Sequence, residues 1–287
     1  MLKYIIRDMG GKNMGYTTIS RATDFSFNAC PNLSEKRKQL LIKKYKKINQ
    51  ELNLLTAYGG ATDEKRKMVE DFIISEFSAH PELMYMSQLD NEGNTNNNLA
   101  RRVVRESCFE TVKFMLNDKK APLLTDNLGY NLGMYCAFEG TEEMALLALD
   151  NLEASIQQTR TDGNNIGMIC ANRGLVSATI KALNNEIASL QQNKNGDTIG
   201  MICARSMVSK PSMTACFEYA ATNSTTLLIE NNNAQTMFTI AQESGYPSAK
   251  LRDKFGDFYN RAVQDRTPFH EEIKIDDNEG EKYGINR

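Results

Sequence analysis

The side chains able to do chemistry are few, and three of them keep step. Six cysteines occur, none in a CxxC pair, and Cys136, Cys170 and Cys203 are separated by 34 and 33 residues. Such spacing puts one thiol at the same place in successive structural units. A metal or redox ladder would need those thiols reachable as thiolates. A buried thiol instead serves as a small hydrophobe where helices approach closely, and the small residues around these cysteines favour that reading. Only two histidines exist, His80 and His270. His80 precedes Pro81 and reads as a helix-boundary residue, while His270 opens an acidic segment. Neither lies in a motif, so a Cys–His pair would have to meet in space. There is no HExxH, GxSxG, Walker or EF-hand pattern, and GGKNMG near Gly10 lacks the spacing and terminal Ser/Thr of a phosphate loop. No catalytic residue, metal ligand or cofactor is assigned, and no small-molecule substrate is evident. Whether the chain is an enzyme stays open, with a non-catalytic role favoured.

Charge gives one further candidate. The 287 residues carry 34 basic and 36 acidic side chains, net −2, which removes whole-chain basicity as an argument for nucleic acid. Residues 1–58 nevertheless hold eleven basic and four acidic groups, a local +7 against −9 for the rest. Lys36, Arg37, Lys38, Lys43, Lys44, Lys46 and Lys47 crowd one stretch, and Lys43, Lys44, Lys46 and Lys47 form an anionic-surface candidate, for a membrane or an acidic protein. The competing reading is a solvated face of a capping helix. No run approaches the ~18 apolar residues of a membrane span. Charges inside the first residues argue against an export signal, and unpaired cysteines fit a reducing, cytoplasmic compartment.

The elements that would position these groups are repeated. DNLGYNLGMYCAFEG (126–140), RTDGNNIGMICANRG (160–174) and NKNGDTIGMICARSM (193–207) are copies of one unit, with fainter copies at 94–107 and 231–245. Each has a Gly- and Asn-rich tip suited to positive φ. A cap residue follows (Asn98, Asn131, Asn165, Thr198, Thr236), then a short helix of small residues closed in three copies by Gly140, Gly174 or Gly245. A second, amphipathic helix comes next: 108–116, 142–149, 176–183 or 212–220. Lys210-Pro211-Ser212 interrupts the period. Ahead of the copies, a long helix from Ser34 carries Leu41, Tyr45, Ile48, Leu52 and Leu55 on one stripe and stops at Gly59-Gly60. Thr62 caps another that turns Met68, Val69, Phe72, Ile73 and Phe77 inward until His80-Pro81.

The unit resembles the ankyrin repeat, whose frame runs D-x-x-G-x-T-P-L-H-x-A-A-x-x-G and then V-x-x-L-L at a period of ~33. Asp126, Gly129, Ala137, Gly140, Met144 and Leu147 occupy the matching places in the clearest copy. The proline of the T-P-L-H box is absent throughout, and the central copies have Gly in the first helical turn, which costs up to ~1 kcal/mol relative to Ala. The resemblance implies an all-α, ankyrin-like solenoid of stacked helix-turn-helix repeats with an N-terminal helical cap. Its segments are an unplaced 1–33, a cap over 34–89, about five repeats over 90–250, and a C-terminal helix with a mobile acidic tail over 251–287.

The resemblance also implies a protein partner held by the tips and the exposed first-helix positions. By register these are Asn127, Leu128, Tyr130, Phe138 and Glu139, then Thr161, Asp162, Asn164, Asn172 and Arg173. The next copies add Lys194, Asn195, Asp197, Arg205 and Ser206, then Asn232, Asn233, Gln235, Glu243 and Ser244. Tyr130, Phe138, Arg173 and Arg205 are the expected anchors, since aromatic residues and Arg dominate interface energetics. Two rivals are an enzyme whose N-terminal region is targeted by the repeats, and a membrane-surface adaptor using helix 34–57. Degenerate Asn-, Ile- and Lys-rich arrays with acidic tails also resemble effectors that intracellular bacteria deliver into host cytosol.

Overall fold

The structure, a computed structural model, describes residues 25–56, 61–89 and 97–271. Residues 1–24, the Gly59-Gly60 stop, and the tail with Glu272, Glu279 and Glu281 lie outside the described residues. Helix α1 (Glu35–Thr56) buries Leu41, Ile42, Tyr45, Ile48, Leu52 and Leu55, the expected stripe and one neighbour. Helix α2 (Asp63–Ala79) starts where the Thr62 side chain accepts from the Lys65 N–H and the Asp63 and Glu64 charges suit the helix dipole. It buries Val69, Ile73 and Phe77. Met68, expected inward, is 68% exposed, because the buried positions of α2 centre on the 69–73–77 row. His80 ends α2 through its N–H to the Glu76 carbonyl, and Pro81 opens a 3₁₀ turn. A small antiparallel sheet of β1 (Phe25–Ser26), β2 (Ser87–Gln88) and β3 (Asn97–Asn98) then leads into the repeats.

Four helical hairpins and a fifth first helix follow. First helices α3 (Leu99–Arg105), α5 (Leu132–Phe138), α8 (Ile166–Arg173), α11 (Ile199–Ser206) and α14 (Met237–Glu243) stack each on the next. The second helices α4 (Phe109–Leu116), α6 (Glu142–Ala148), α9 (Val176–Leu183) and α12 (Met213–Ala220) form a parallel column. Every cap read from the sequence is present: Asn98, Asn131, Asn165, Thr198 and Thr236 each accept from the backbone N–H three residues on. Short third helices, α7 (Leu152–Ser155), α10 (Glu186–Leu190) and α13 (Ser224–Leu227), return the chain to the next tip. Asn151, Asn185 and Asn223 cap them. These helices were not expected from the sequence, since they carry too few apolar positions to show a period. Helix α15 (Ser248–Glu271) closes the array and takes in residues 251–271 of the C-terminal helix and tail expected over 251–287.

Two devices lock one repeat to the next. Asn131 Nδ2 donates to the Ala154 carbonyl and to Gln157, which donates to the Leu123 carbonyl of the preceding turn; Asn165, Gln191 and Ile156 repeat the arrangement. A buried polar side chain satisfied in this way fixes register. The first-turn glycines supply the second lock. A Cβ on Gly133 would lie 2.5 Å from Ile166 Cδ1, and one on Gly200 2.5 Å from Met237 Sδ. The glycine the sequence reading counted only as a cost is the socket into which the following repeat's first side chain sits.

Candidate interaction surface

The tips are built by hydrogen bonds. Asp126 Oδ1 accepts from the N–H groups of Leu128 and Tyr130, Asn193 from those of Asn195 and Asp197, and Asn231 from those of Asn233 and Gln235. In the copy where Arg160 takes that place, Thr159 Oγ1 and Asp162 Oδ1 accept from Asn164 instead. Adjacent tips join through the backbone: Arg160 N to Leu128 O at 2.7 Å, Lys194 N to Asp162 O at 2.9 Å and Asn232 N to Asn195 O at 3.0 Å. The tips therefore form a continuous edge beside the first-helix column.

Most residues predicted for a partner are exposed on that edge or column: Asn127, Leu128, Thr161, Asp162, Lys194, Asn195, Asn232 and Asn233 at the tips, Phe138, Asn172, Arg173, Arg205 and Glu243 on the helices. Tyr130, Glu139, Ser206, Gln235 and Ser244 are half-buried. Two must be corrected. Asn164 and Asp197 are buried, Asn164 between Asp162 and Asn193, and Asp197 beneath Arg205 and Asn231. At this register a polar side chain turns into the tip and serves as scaffold. Two expected anchors are also engaged internally. Arg173 Nη1 donates to the Ala137 and Gly140 carbonyls at 3.1 and 2.9 Å, closing α5 from the next repeat, and Arg205 pairs with Asp197 at 2.7 Å.

The apolar part of the face gathers around α5. Tyr130 stacks on Tyr135 at 5.7 Å and lies 6.0 Å from Phe138. Burial, then the hydrogen bond to Asp126, pushes the Tyr135 hydroxyl far above its ordinary pKa, so it stays a donor. Arg101 lies over the Tyr135 ring and binds Glu139 through Nε at 2.8 Å. Phe138 and Leu128 are 49% and 43% exposed. Position seven after the cap is exposed in all five copies: Arg105, Phe138, Asn172, Arg205 and Glu243.

The sequence reading missed the charge sorting. The first helices carry five arginines (Arg101, Arg102, Arg105, Arg173, Arg205) and one glutamate (Glu243). The second and third helices α4, α6, α7, α9, α10 and α12 carry six glutamates and two lysines. Dividing the charge count by helix, rather than by segment of the chain, would have revealed it.

The remaining chemical candidates fall elsewhere. Cys136, Cys170 and Cys203 are all buried, and burial pushes each thiol up, Cys170 to about 12, so they remain neutral. The lysines of α1 are largely engaged: Lys44 pairs with Glu76 at 2.8 Å and Lys47 lies 4.5 Å over the Phe72 ring, while Lys46 is half-buried and Lys43 exposed. Lys43 and Lys47 are exposed one helical turn apart. His80 is half-buried at the end of α2. Among the described residues no group of three His, Cys, Asp or Glu could hold a metal, and no helix is long and apolar enough to cross a membrane. A polar recess of about 420 Å³ opens on the second-helix side, lined by Asn184, Glu186, Tyr219 and Thr222 among others.

No family model matches the chain, and no curated protein matches it. Solved structures do match. An ankyrin repeat protein, EF0377, aligns with a TM-score of 0.52 at 17% identity, over 74% of this chain and 94% of that one. The fold is thus that of stacked ankyrin repeats, and at such identity the likeness extends to the fold alone. A chain in the structure of the Bd0816 predatory endopeptidase from Bdellovibrio bacteriovorus, in complex with immunity protein Bd3460, aligns at a TM-score of 0.29 and 16% identity, over 51% of this chain and 91% of that one. That second overlap is too loose to inform the site.

Proposed function

We propose that the chain is a binding scaffold that holds a protein partner along the tips and first-helix column. The observation that carries this is the half-exposed pair Leu128 and Phe138 beside Tyr130, on a preformed edge whose backbone is already tied from tip to tip. A rigid surface limits the ordering cost of binding, and exposed aromatic side chains in such a setting are typical anchors. The catalytic alternative draws no support from Cys136, Cys170 and Cys203, which are buried and neutral. Action in host cytosol as a delivered effector rests only on repeat composition and on an acidic tail outside the described residues.

The test compares two faces. Proteins retained by the wild type should be lost with Leu128→Ala/Phe138→Ala and kept with Tyr219→Ala, which alters an exposed residue of the second-helix column. Equal retention by all three would rule out this face.

A further inference from the structure

We propose that this face takes an extended acidic segment of another protein, anchored by one apolar side chain between Leu128 and Phe138. The inference rests on the scaffold reading and adds the partner's chemistry. Arginines stand on either side of the apolar anchor in the exposed row, Arg105 one repeat before Phe138 and Arg205 two repeats after. Both keep about half their side chain in solvent, 55% and 50%, although each touches a carboxylate of its own chain. A guanidinium has five N–H donors, so neither contact exhausts it. The acidic groups around the anchor are engaged within the chain: Glu139 by Arg101, Asp126 by Tyr135 and the tip amides, and the exposed Asp162 by Thr159 and Asn164. The glutamates of the opposite side repel an acidic segment from the wrong surface. Charge of this arrangement selects the partner and speeds encounter more than it adds affinity.

Spacing sharpens the expectation. Packed helices lie ~8–10 Å apart, and an extended chain advances ~3.3 Å per residue. One repeat therefore corresponds to about three residues of bound peptide. The segment should carry an acidic residue about three positions from its apolar anchor on one side and about six on the other.

The experiment uses the full chain and a phage library of random dodecapeptides, followed by fluorescence anisotropy of the selected, fluorescein-labelled peptides. Enrichment of an apolar residue with acidic residues at those intervals is expected. Phe138→Ala should weaken binding about tenfold or more, and Arg105→Gln several-fold. Binding should fall as NaCl rises from ~50 to ~300 mM. Both variants alter half-exposed side chains, and unchanged thermal melts will show that they fold. Selected peptides that need Phe138 yet show no acidic bias and no salt dependence would overturn the acidic partner while leaving the scaffold reading intact. Peptides indifferent to Phe138→Ala and Arg105→Gln but lost with Tyr219→Ala would overturn both. Self-association of the free chain that Phe138→Ala abolishes would assign the face to a second copy instead, and a library yielding no enriched peptide would also overturn the proposal.

Discussion

Interior repeats and the last repeat differ at one register position, two residues after the cap. Gly133, Gly167 and Gly200 occupy it inside the array, and Phe238 occupies it at the end. None of the three glycines has a positive φ, so conformational freedom does not explain them. What they share is a following repeat pressed against them. Phe238 has no such neighbour and instead meets Phe217 edge-on and lies 6.1 Å from Phe255 of α15. The same place is left empty in the three central repeats, holds only the methyl of Ala100 in the first, and is filled by a ring where a single helix closes the stack. In the central repeats the glycine marks a socket for the next hairpin.

The comparison breaks most visibly at Gly167. A Cβ there would lie 2.5 Å from Ile199 Cδ1 and 2.6 Å from Ala182 Cβ, and an alanine Cβ cannot swing aside. Gly167→Ala should therefore destabilise by roughly 2–3 kcal/mol, within the range for overpacked cores. Adding Ile199→Val should recover only part of this, because Ala182 remains. Gly256→Ala in α15 has nothing within 4 Å of the new methyl and should stabilise by up to ~1 kcal/mol through helix propensity alone. Urea unfolding of the three variants checks the signs; a neutral Gly167→Ala would mean the sockets are loose.

The next position to compare is the tip. Gly196 has φ +78°, and a Cβ would meet the Asn232 backbone N at 2.7 Å. Gly196→Ala should cost about 1–2 kcal/mol from the backbone conformation alone, with the contact adding to it. At the same register in the last copy stands Ala234, with φ +56°. Ala234→Gly relieves that strain against a loss of backbone entropy, so a gain of at most ~1 kcal/mol is expected. Opposite signs at one register, read from unfolding midpoints, would confirm that the last tip is strained.

Much of this architecture was legible because ankyrin-like units are local. Asn98, Asn131, Asn165, Thr198 and Thr236 are caps by residue type, and each proved to be one. Leu41 through Leu55 announced the buried stripe of α1 by spacing alone. Properties that depend on the next repeat were not legible. Nothing in the run Asn165-Ile166-Gly167 says that Ile199 will enter the space above the glycine, or that Arg173 will reach back to the α5 carbonyls. Residue type likewise cannot separate Asp162, exposed three positions before its cap, from Asp197, buried under Arg205 one position before its own. The partner face suffered most, since burial between copies decides which polar side chains remain available.

The smallest expected effect concerns how the array ends. Interior repeats are held mainly by glycine sockets and Asn–Gln bridges, with ion pairs such as Lys181–Asp150 beside them; at the end of the array, charge joins α15 to α12. Glu218 of α12 binds Lys254, and it accepts from Tyr246 Oη at 2.7 Å. Those two hydrogen bonds, Lys254 first, hold the Glu218 carboxyl below the usual carboxylate range. A depressed folded-state pKa gives stability that is present above the unfolded value of about 4.3 and is lost as pH falls through the folded value. Acid should therefore loosen α15 against α12 before it affects the interior. Glu218→Gln should remove that part of the pH dependence and leave stability at pH 7 slightly lower. Hydrogen exchange of the α15 and α8 amides on either side of pH 4 measures the two regions separately; equal acid sensitivity at both would show that the end is no differently fastened from the middle.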